Sequence, residues 1–274
     1  MRAVIHSTGS GWQRRYQDYF VSGFGYHGIP VIFTNHDAVD TNGDLHVLFA
    51  NNSWKKTLGI CQSKKIPVLT VNRCFFGDRH DNVAIGWDGF NGRADFMNEN
   101  SPGDRWDKHR VPLRSWRMMP EIDDGYILVL GEFRDMTSWY ERVARLLDQT
   151  NRSVKFRPHP FRAGDRIPCG WGKAPGFAQD DIETALKGAV LCVTYDTIGG
   201  VDAIIQGVPT VAYGPESMAH PIAWNSVNDE LTDLRDRTQW LHDLAYAQWD
   251  FSEIADGQFW THLGSRMANP ETAA

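Results

Sequence analysis

An α/β fold of two Rossmann-like units is what this sequence predicts, on three observations. Short β-rich runs alternate with helical periods along both halves of the 274-residue chain. Several runs of the second half are continuously apolar, as in strands covered on both faces. The pattern breaks near 112–124, where Pro112, Pro120 and the turn Asp123-Asp124-Gly125 interrupt it. Strands joined through helices imply parallel sheets with right-handed crossovers. The expected units are residues 1–120 and 121–274, the second carrying C-terminal helices.

In the first unit, Ala3–Ser7 reads as a strand, Thr8-Gly9-Ser10-Gly11 as the turn after it, and Trp12–Tyr26 as a helix. Pro30–Thr34 and Leu45–Ala50 follow as strands, Trp54–Ser63 as a helix and Pro67–Val71 as a strand. Asn72–Arg117 then loses any period and fills with Gly, Asn, Asp, Arg, Trp and Phe, the composition of a long functional or mobile stretch. In the second unit the strands are Tyr126–Leu130, Ser153–Arg157, Val190–Thr194 and Pro209–Tyr213. The helices are Ser138–Asp148, Asp180–Lys187 and Ile198–Gln206. From Glu230 on, Leu231, Leu234, Trp240, Leu241, Leu244 and Ala245 keep helical spacing.

The four cysteines are scattered, which reads as reduced thiols rather than a disulfide set or zinc site. No apolar run is long enough for a bilayer and no signal peptide is visible, so a cytoplasmic protein is expected. Net charge is −6, which argues against a generic nucleic-acid binder. The charge is uneven, however: residues 52–119 hold 12 Lys/Arg against 7 Asp/Glu, a basic segment suited to a polyanion. The same charges read equally well as a solvated surface.

The stretches that carry chemistry lie in the second half. Lys155-Phe156-Arg157-Pro158-His159-Pro160 ends a strand on a histidine stiffened by two prolines, with Arg157 and Arg162 beside it. Cys192-Val193-Thr194-Tyr195-Asp196-Thr197-Ile198-Gly199-Gly200 runs from an apolar strand into a glycine-containing helix, and Gly207-Val208-Pro209 leads into the next strand. A strand feeding a helix N-terminus is where an α/β sheet holds phosphate. Thr194 and Thr197 supply hydroxyls there, Gly199 close approach, and Asp202 an acid one turn on. The glycines read as well as helix–sheet packing. Gly131-Glu132-Phe133-Arg134-Asp135 ends another strand.

This order of motifs resembles the donor half of GT-B glycosyltransferases, similar to capsule-polysaccharide Kdo transferases and phage-encoded DNA-modifying glycosyltransferases. The resemblance covers about residues 126–225. It implies a donor site in the interdomain cleft, with 1–120 as the acceptor-side domain and 121–274 as the nucleotide-sugar-binding domain. His159 would act on the leaving phosphate. Gly9, Ser10, Gly11, Glu132 (in place of the family's Gln), Arg157, Thr194, Thr197, Gly199 and Asp202 (where Glu is commoner) would bind the donor, a UDP-sugar. No cofactor and no metal are expected, because no Asp-x-Asp or His-x-x-x-His spacing appears. An inverting transferase needs a base for the acceptor hydroxyl, for which Asp88 and Asp78 are the candidates and Asp95 the third. Each reads equally as a turn-forming Asp.

The small size and the basic segment point to a phage enzyme acting in the host cytoplasm on hydroxymethylated bases of DNA. Arg79, Trp87, Arg93, Arg105, Lys108 and Arg110 would contact that acceptor. The alternatives are transfer to a capsule or cell-surface glycan, a nucleotide-sugar epimerase of the same fold, and a non-catalytic sugar-nucleotide or DNA-binding module. No membrane partner is expected, and the sequence leaves the oligomeric state open.

Overall fold

The computed structural model describes the chain except residues 8–10, 36–42, 51–53, 118–123, 165, 177–180, 228–233 and 269–274, and the side chains of Ser7, Trp12 and Ala268. Two compact units emerge, one of Met1–His109 with Leu241–Ala274, the other of Arg110–Trp240.

The first unit is built on a six-stranded sheet. In chain order its strands are β1 (Ala3–Ser7), β2 (Val31–Asn35), β3 (Leu45–Phe49), β4 (Val68–Arg73), β5 (Asn82–Trp87) and, from the C-terminal segment, β11 (Gln248–Asp250). Their spatial order is β11-β5-β4-β3-β1-β2. β1 to β4 are parallel, as alternation with α1 (Gly11–Tyr26) and α2 (Trp54–Ser63) requires. β5 and β11 run antiparallel at one side. The stretch expected to be irregular thus contains a fully buried strand, β5. Its Gly86 escaped a strand reading, yet a Cβ there would sit 2.7 Å from the Phe96 ring. Glycine is what lets Phe96 cover the strand.

The C-terminal residues also depart from expectation. Instead of joining the second unit, α8 (Phe251–Ala255), α9 (Gln258–Leu263) and α10 (Ser265–Ala268) close the core of the first. Ile254, Phe259, Trp260 and Leu263 are buried with Phe20 and Phe24 of α1. Gly23 makes the approach possible, since a Cβ there would collide with the Ile254 carbonyl. Burial of these large side chains outweighs the sequence distance between the partners.

The second unit holds a five-stranded, fully parallel sheet. Its strands are β6 (Tyr126–Leu130), β7 (Val154–Arg157), β8 (Gly172–Lys173), β9 (Ala189–Thr194) and β10 (Thr210–Ala212), in the order β10-β9-β6-β7-β8. β6 and β9 are buried at every position, which their unbroken apolar runs require. Around them lie α4 (Thr137–Leu147), α5 (Ile182–Lys187) and α6 (Gly199–Ile205). In α4, Trp139, Tyr140, Val143 and Leu147 form the buried stripe. The chain builds β7 and β8 to one side of β6, then returns to build β9 and β10 on the other. The crevice beyond the carboxyl ends of β6 and β9 is therefore a topological switch point, where open parallel sheets bind ligands.

The remaining segments α3 (Asp104–His109) and α7 (Thr238–Tyr246) lie where the chain passes from one unit to the other. No described helix is long and apolar enough to cross a membrane. All four cysteines are free thiols, three of them buried.

Candidate functional site at the carboxyl edge of the second sheet

Gly131 follows β6 and Pro158 follows β7, and the two turns touch. A Cβ on Gly131 would come within 2.7 Å of the His159 nitrogen and 2.8 Å of Pro158 Cα. The Gly131 N–H donates to the Arg157 carbonyl at 2.7 Å. His159 is thereby fixed against the end of β6. Its Nδ1 accepts the Phe161 N–H at 3.3 Å, so a neutral imidazole carries its proton on Nε2.

A pocket opens beside this junction, lined among others by Glu132, Arg134, Tyr140, His159, Arg162 and Arg166. Phe133 and Phe161 flank the His159 ring at 61% and 75% exposure, with ring centroids 5.5 and 5.6 Å from it. Water-exposed aromatic rings held beside cationic groups suit a ligand with both a flat ring and negative charge. Asp135 also lines the pocket, and its carboxylate takes the N–H and hydroxyl of Thr137 at 3.0 and 2.7 Å. Those bonds hold the carboxyl below the usual carboxylate range.

Glu132 bridges the switch point. Its Oε1 accepts the Thr194 hydroxyl at 3.2 Å, the Tyr195 N–H at 2.9 Å and the Asp196 N–H at 3.2 Å. Its own N–H donates to the Tyr140 hydroxyl at 2.9 Å. Burial, then the hydrogen-bonded carboxyl of Asp196, push the Glu132 carboxyl up to about 8, against the opposing pull of the Tyr195 and Asp196 N–H groups. Asp196 is paired with Arg134 at 2.6 Å.

Of the donor residues expected from sequence, Glu132 and His159 meet at this pocket. Arg157 and Thr194 lie close by but are buried, and the Thr194 hydroxyl points to Glu132. Thr197 and Asp202 are half-buried and do not line the pocket. Gly199 serves packing: a Cβ there would meet Ile182 and Leu130 side chains at 2.8 Å each. Gly9 and Ser10 lie outside the described residues, and Gly11 opens α1. Sequence reading did not single out Tyr140, Arg166, Phe133 or Phe161 as site residues. The two phenylalanines carried a signal, since each is an aromatic next to an arginine or proline at a strand's carboxyl end.

The acceptor residues fare differently. Trp87 is fully buried in the core of the first unit and donates to the Leu263 carbonyl, so it does not stack on an acceptor. Arg105 is also buried, bonded to Glu253 at 2.7 and 2.9 Å and to the Gln248 and Ala245 carbonyls, with its guanidinium 4.1 Å from the Trp249 ring centroid. Lys108 pairs with Asp250 at 2.8 Å and Glu253 at 2.7 Å. Arg105 is therefore not part of a polyanion track, because a guanidinium taken from water keeps its charge only with such partners, while Lys108, half exposed, has its ammonium engaged by two carboxylates. Arg117, from the same basic segment, donates to the carbonyls of Leu186, Lys187 and Ala189. Arg79 reaches the Phe75 carbonyl, while Arg93 and Arg110 are exposed.

Asp88 has φ +57°, takes the Val68 N–H at 3.1 Å and pairs with Arg266 at 2.8 Å. Asp78 is exposed and caps its own turn through the His80 N–H at 2.8 Å. Asp95 takes the Met97 N–H at 2.9 Å and lies 3.5 Å from Arg266. Asp88 and Asp95 thus share one arginine, while Asp78 belongs to a separate turn. Among the described residues no cluster of His, Cys, Asp and Glu has metal-holding geometry.

No protein-family model matches the sequence, and no curated protein matches it. Solved structures do. The chain is similar to the beta Kdo 2,4 transferase of Thermosulfurimonas dismutans KpsC, with a TM-score of 0.57, 11% identity and 90% of each chain covered. It is also similar to the beta Kdo 2,7 transferase of the same organism's KpsC, with a TM-score of 0.51, 11% identity, and 94% of this chain and 98% of that one covered. At that identity the likeness shows the fold alone: a mixed α/β chain with parallel, Rossmann-like sheets of the GT-B kind.

Proposed function

We propose that the chain is a glycosyltransferase that moves a sugar from a nucleotide-activated donor to an acceptor hydroxyl, with the donor phosphate in the His159 pocket. One observation carries the reading. His159 is held rigidly at the carboxyl end of a parallel sheet, in one pocket with Arg134, Arg162 and Arg166. A departing phosphate develops negative charge, and prearranged cationic and N–H groups stabilise it without reorganising. His159 Nε2–H and the arginines supply such groups.

A saccharide hydroxyl is the acceptor this reading favours over a hydroxymethylated base of DNA. Arg105, Lys108 and Arg117, three of the twelve cations in the basic segment a DNA track would use, are engaged by internal partners. Similarity to the two Kdo transferases is in keeping with a sugar acceptor. The test is nucleotide release from a panel of CMP-, UDP- and GDP-sugars, alone, with capsule oligosaccharides and with hydroxymethylpyrimidine DNA. Release that depends on an oligosaccharide is expected. Release that depends on DNA would replace the acceptor, turnover of the donor alone would indicate an epimerase or hydrolase, and no release from any donor would overturn the proposal.

A further inference from the structure

We infer that the first unit pairs with a second copy of this chain through the outer edge of β2, the two sheets joining across a two-fold axis. This surface belongs to the first unit and does not depend on which ligand fills the His159 pocket. β2 ends the spatial order of its sheet, with β1 on one side and no described strand on the other. The Ala3 N–H donates to the Pro30 carbonyl at 3.0 Å. In a parallel ladder the same β1 residue then bonds Ile32, so Ile32 and Thr34 turn their N–H and carbonyl groups inward. Those of Val31, Phe33 and Asn35 point outward, and no described residue takes them.

Every other sheet edge of the molecule is closed or cut short, as soluble proteins require of exposed strands. β8 is two residues long and carries Lys173. On β10 the Trp224 backbone covers the edge, accepting the Ala212 N–H at 2.8 Å and donating to the Thr210 carbonyl at 3.0 Å. On β11 the Arg105 guanidinium donates to the Gln248 carbonyl at 2.6 Å and Glu253 accepts the Asp250 N–H at 3.0 Å. β2 has none of these devices: it runs for five residues without a charge or a proline and leaves Phe33 51% exposed. Exposed apolar side chains gather on the same flank. Met1, Val21, Tyr26 and Phe33, four of the seven large ones among the described residues, lie on or beside β1, α1 and β2, which pack on one another.

A second copy is the occupant that fits this edge. An antiparallel pair centred on Phe33 sets Val31 of each strand against Asn35 of the other, so the outward groups of both strands are met in about six hydrogen bonds. No charged residue lies between Gly28 and Asn35, so the two-fold axis brings no like charges together. The two Phe33 rings meet on one face at the axis, where an aromatic pair stabilises a sheet.

The experiment is sedimentation equilibrium of the full chain from about 1 to 100 μM, a range in which mass action populates a moderately tight dimer. The wild type should reach a mass near twice 31.1 kDa at the upper end. Phe33→Lys alters an exposed side chain and should stay folded by circular dichroism, yet sediment as a monomer. Val31→Pro removes an outward N–H and spares the bonds to β1, so it should weaken the dimer without adding charge. Leu113→Lys, on an exposed apolar residue of the second unit, should leave the dimer intact. A wild type that is monomeric throughout would overturn the inference, and so would a dimer that survives Phe33→Lys and Val31→Pro. Loss of the dimer in Leu113→Lys as well would mean general apolar adhesion, and growth past the dimer without a plateau would mean an open template; either result overturns the strand pair. None of these measurements uses donor or acceptor, so each leaves the sugar-transfer reading to its own assay.

Discussion

Gly131 stands where any side chain would push His159 away: a Cβ at 131 falls 2.7 Å from the His159 nitrogen. The contact is with backbone, which cannot rotate aside. Gly131→Ala should shift the Pro158-His159 turn, destabilise the unit by about 1–3 kcal/mol and lower turnover by about 10²-fold. Thermal melts and initial rates check this together. Unchanged turnover in Gly131→Ala would show that the place of His159 is immaterial.

His159→Ala should lower kcat by roughly 10²-fold or more while the melting temperature changes little, because a charge-stabilising group acts mainly in the transition state. The comparison is kcat against a circular-dichroism melt. A folded variant with wild-type turnover would remove His159 from the mechanism.

Phe161 is 75% exposed, so Phe161→Ala costs little stability. If the base of a nucleotide donor stacks on Phe161, the loss is about 1–3 kcal/mol, read as a roughly 5- to 150-fold rise in donor KM. An unchanged KM would place the base elsewhere.

Buried Arg105 ties α3 to the C-terminal segment through Glu253. Arg105→Ala leaves that buried carboxylate with only the Lys108 ammonium and the Asp250 N–H and takes the donor from the Gln248 and Ala245 carbonyls, at a cost of about 3 kcal/mol measured by urea unfolding. In contrast, Arg110→Glu on the exposed residue should leave stability nearly unchanged. Equal effects of the two substitutions would contradict the burial argument.

The same network sets a response to acid. Burial raises the Asp250 carboxyl, but the Lys108 ammonium, the Glu253 N–H and the Ser252 hydroxyl outweigh it and hold it at about 2. Glu253 is lowered too, since Arg105 and Lys108 overcome its burial. A carboxyl depressed in the folded state contributes stability above its unfolded pKa, and that stability is lost as pH falls toward the folded value. Stability should therefore drop between about pH 4 and pH 2, and Asp250→Asn should flatten that limb of the curve. An acid limb identical in Asp250→Asn would locate the titrating groups elsewhere.

By itself the sequence determined most of the two sheets. Tyr126–Leu130 coincides with β6 and Trp54–Ser63 with α2, because long apolar runs and helical periods are local signals that burial then confirms. It also marked His159 and Glu132, which meet at the pocket, since strand ends in an α/β pattern can be read from composition. Partnership was not legible. Whether Arg105 faces a ligand or Glu253 depends on a residue 148 positions away, and nothing near Arg105 in sequence reports it. Trp87 likewise looked like an exposed aromatic among glycines until Leu263 and the C-terminal helices covered it. The tertiary structure alone decided that residues 241–274 close the first unit, that Thr194 turns inward to Glu132, and that Gly199 fills a packing contact. The physical reason is common to all three. Local pattern fixes which face of an element is apolar, whereas the identity of the surface that covers it is set by contacts between residues far apart in the chain.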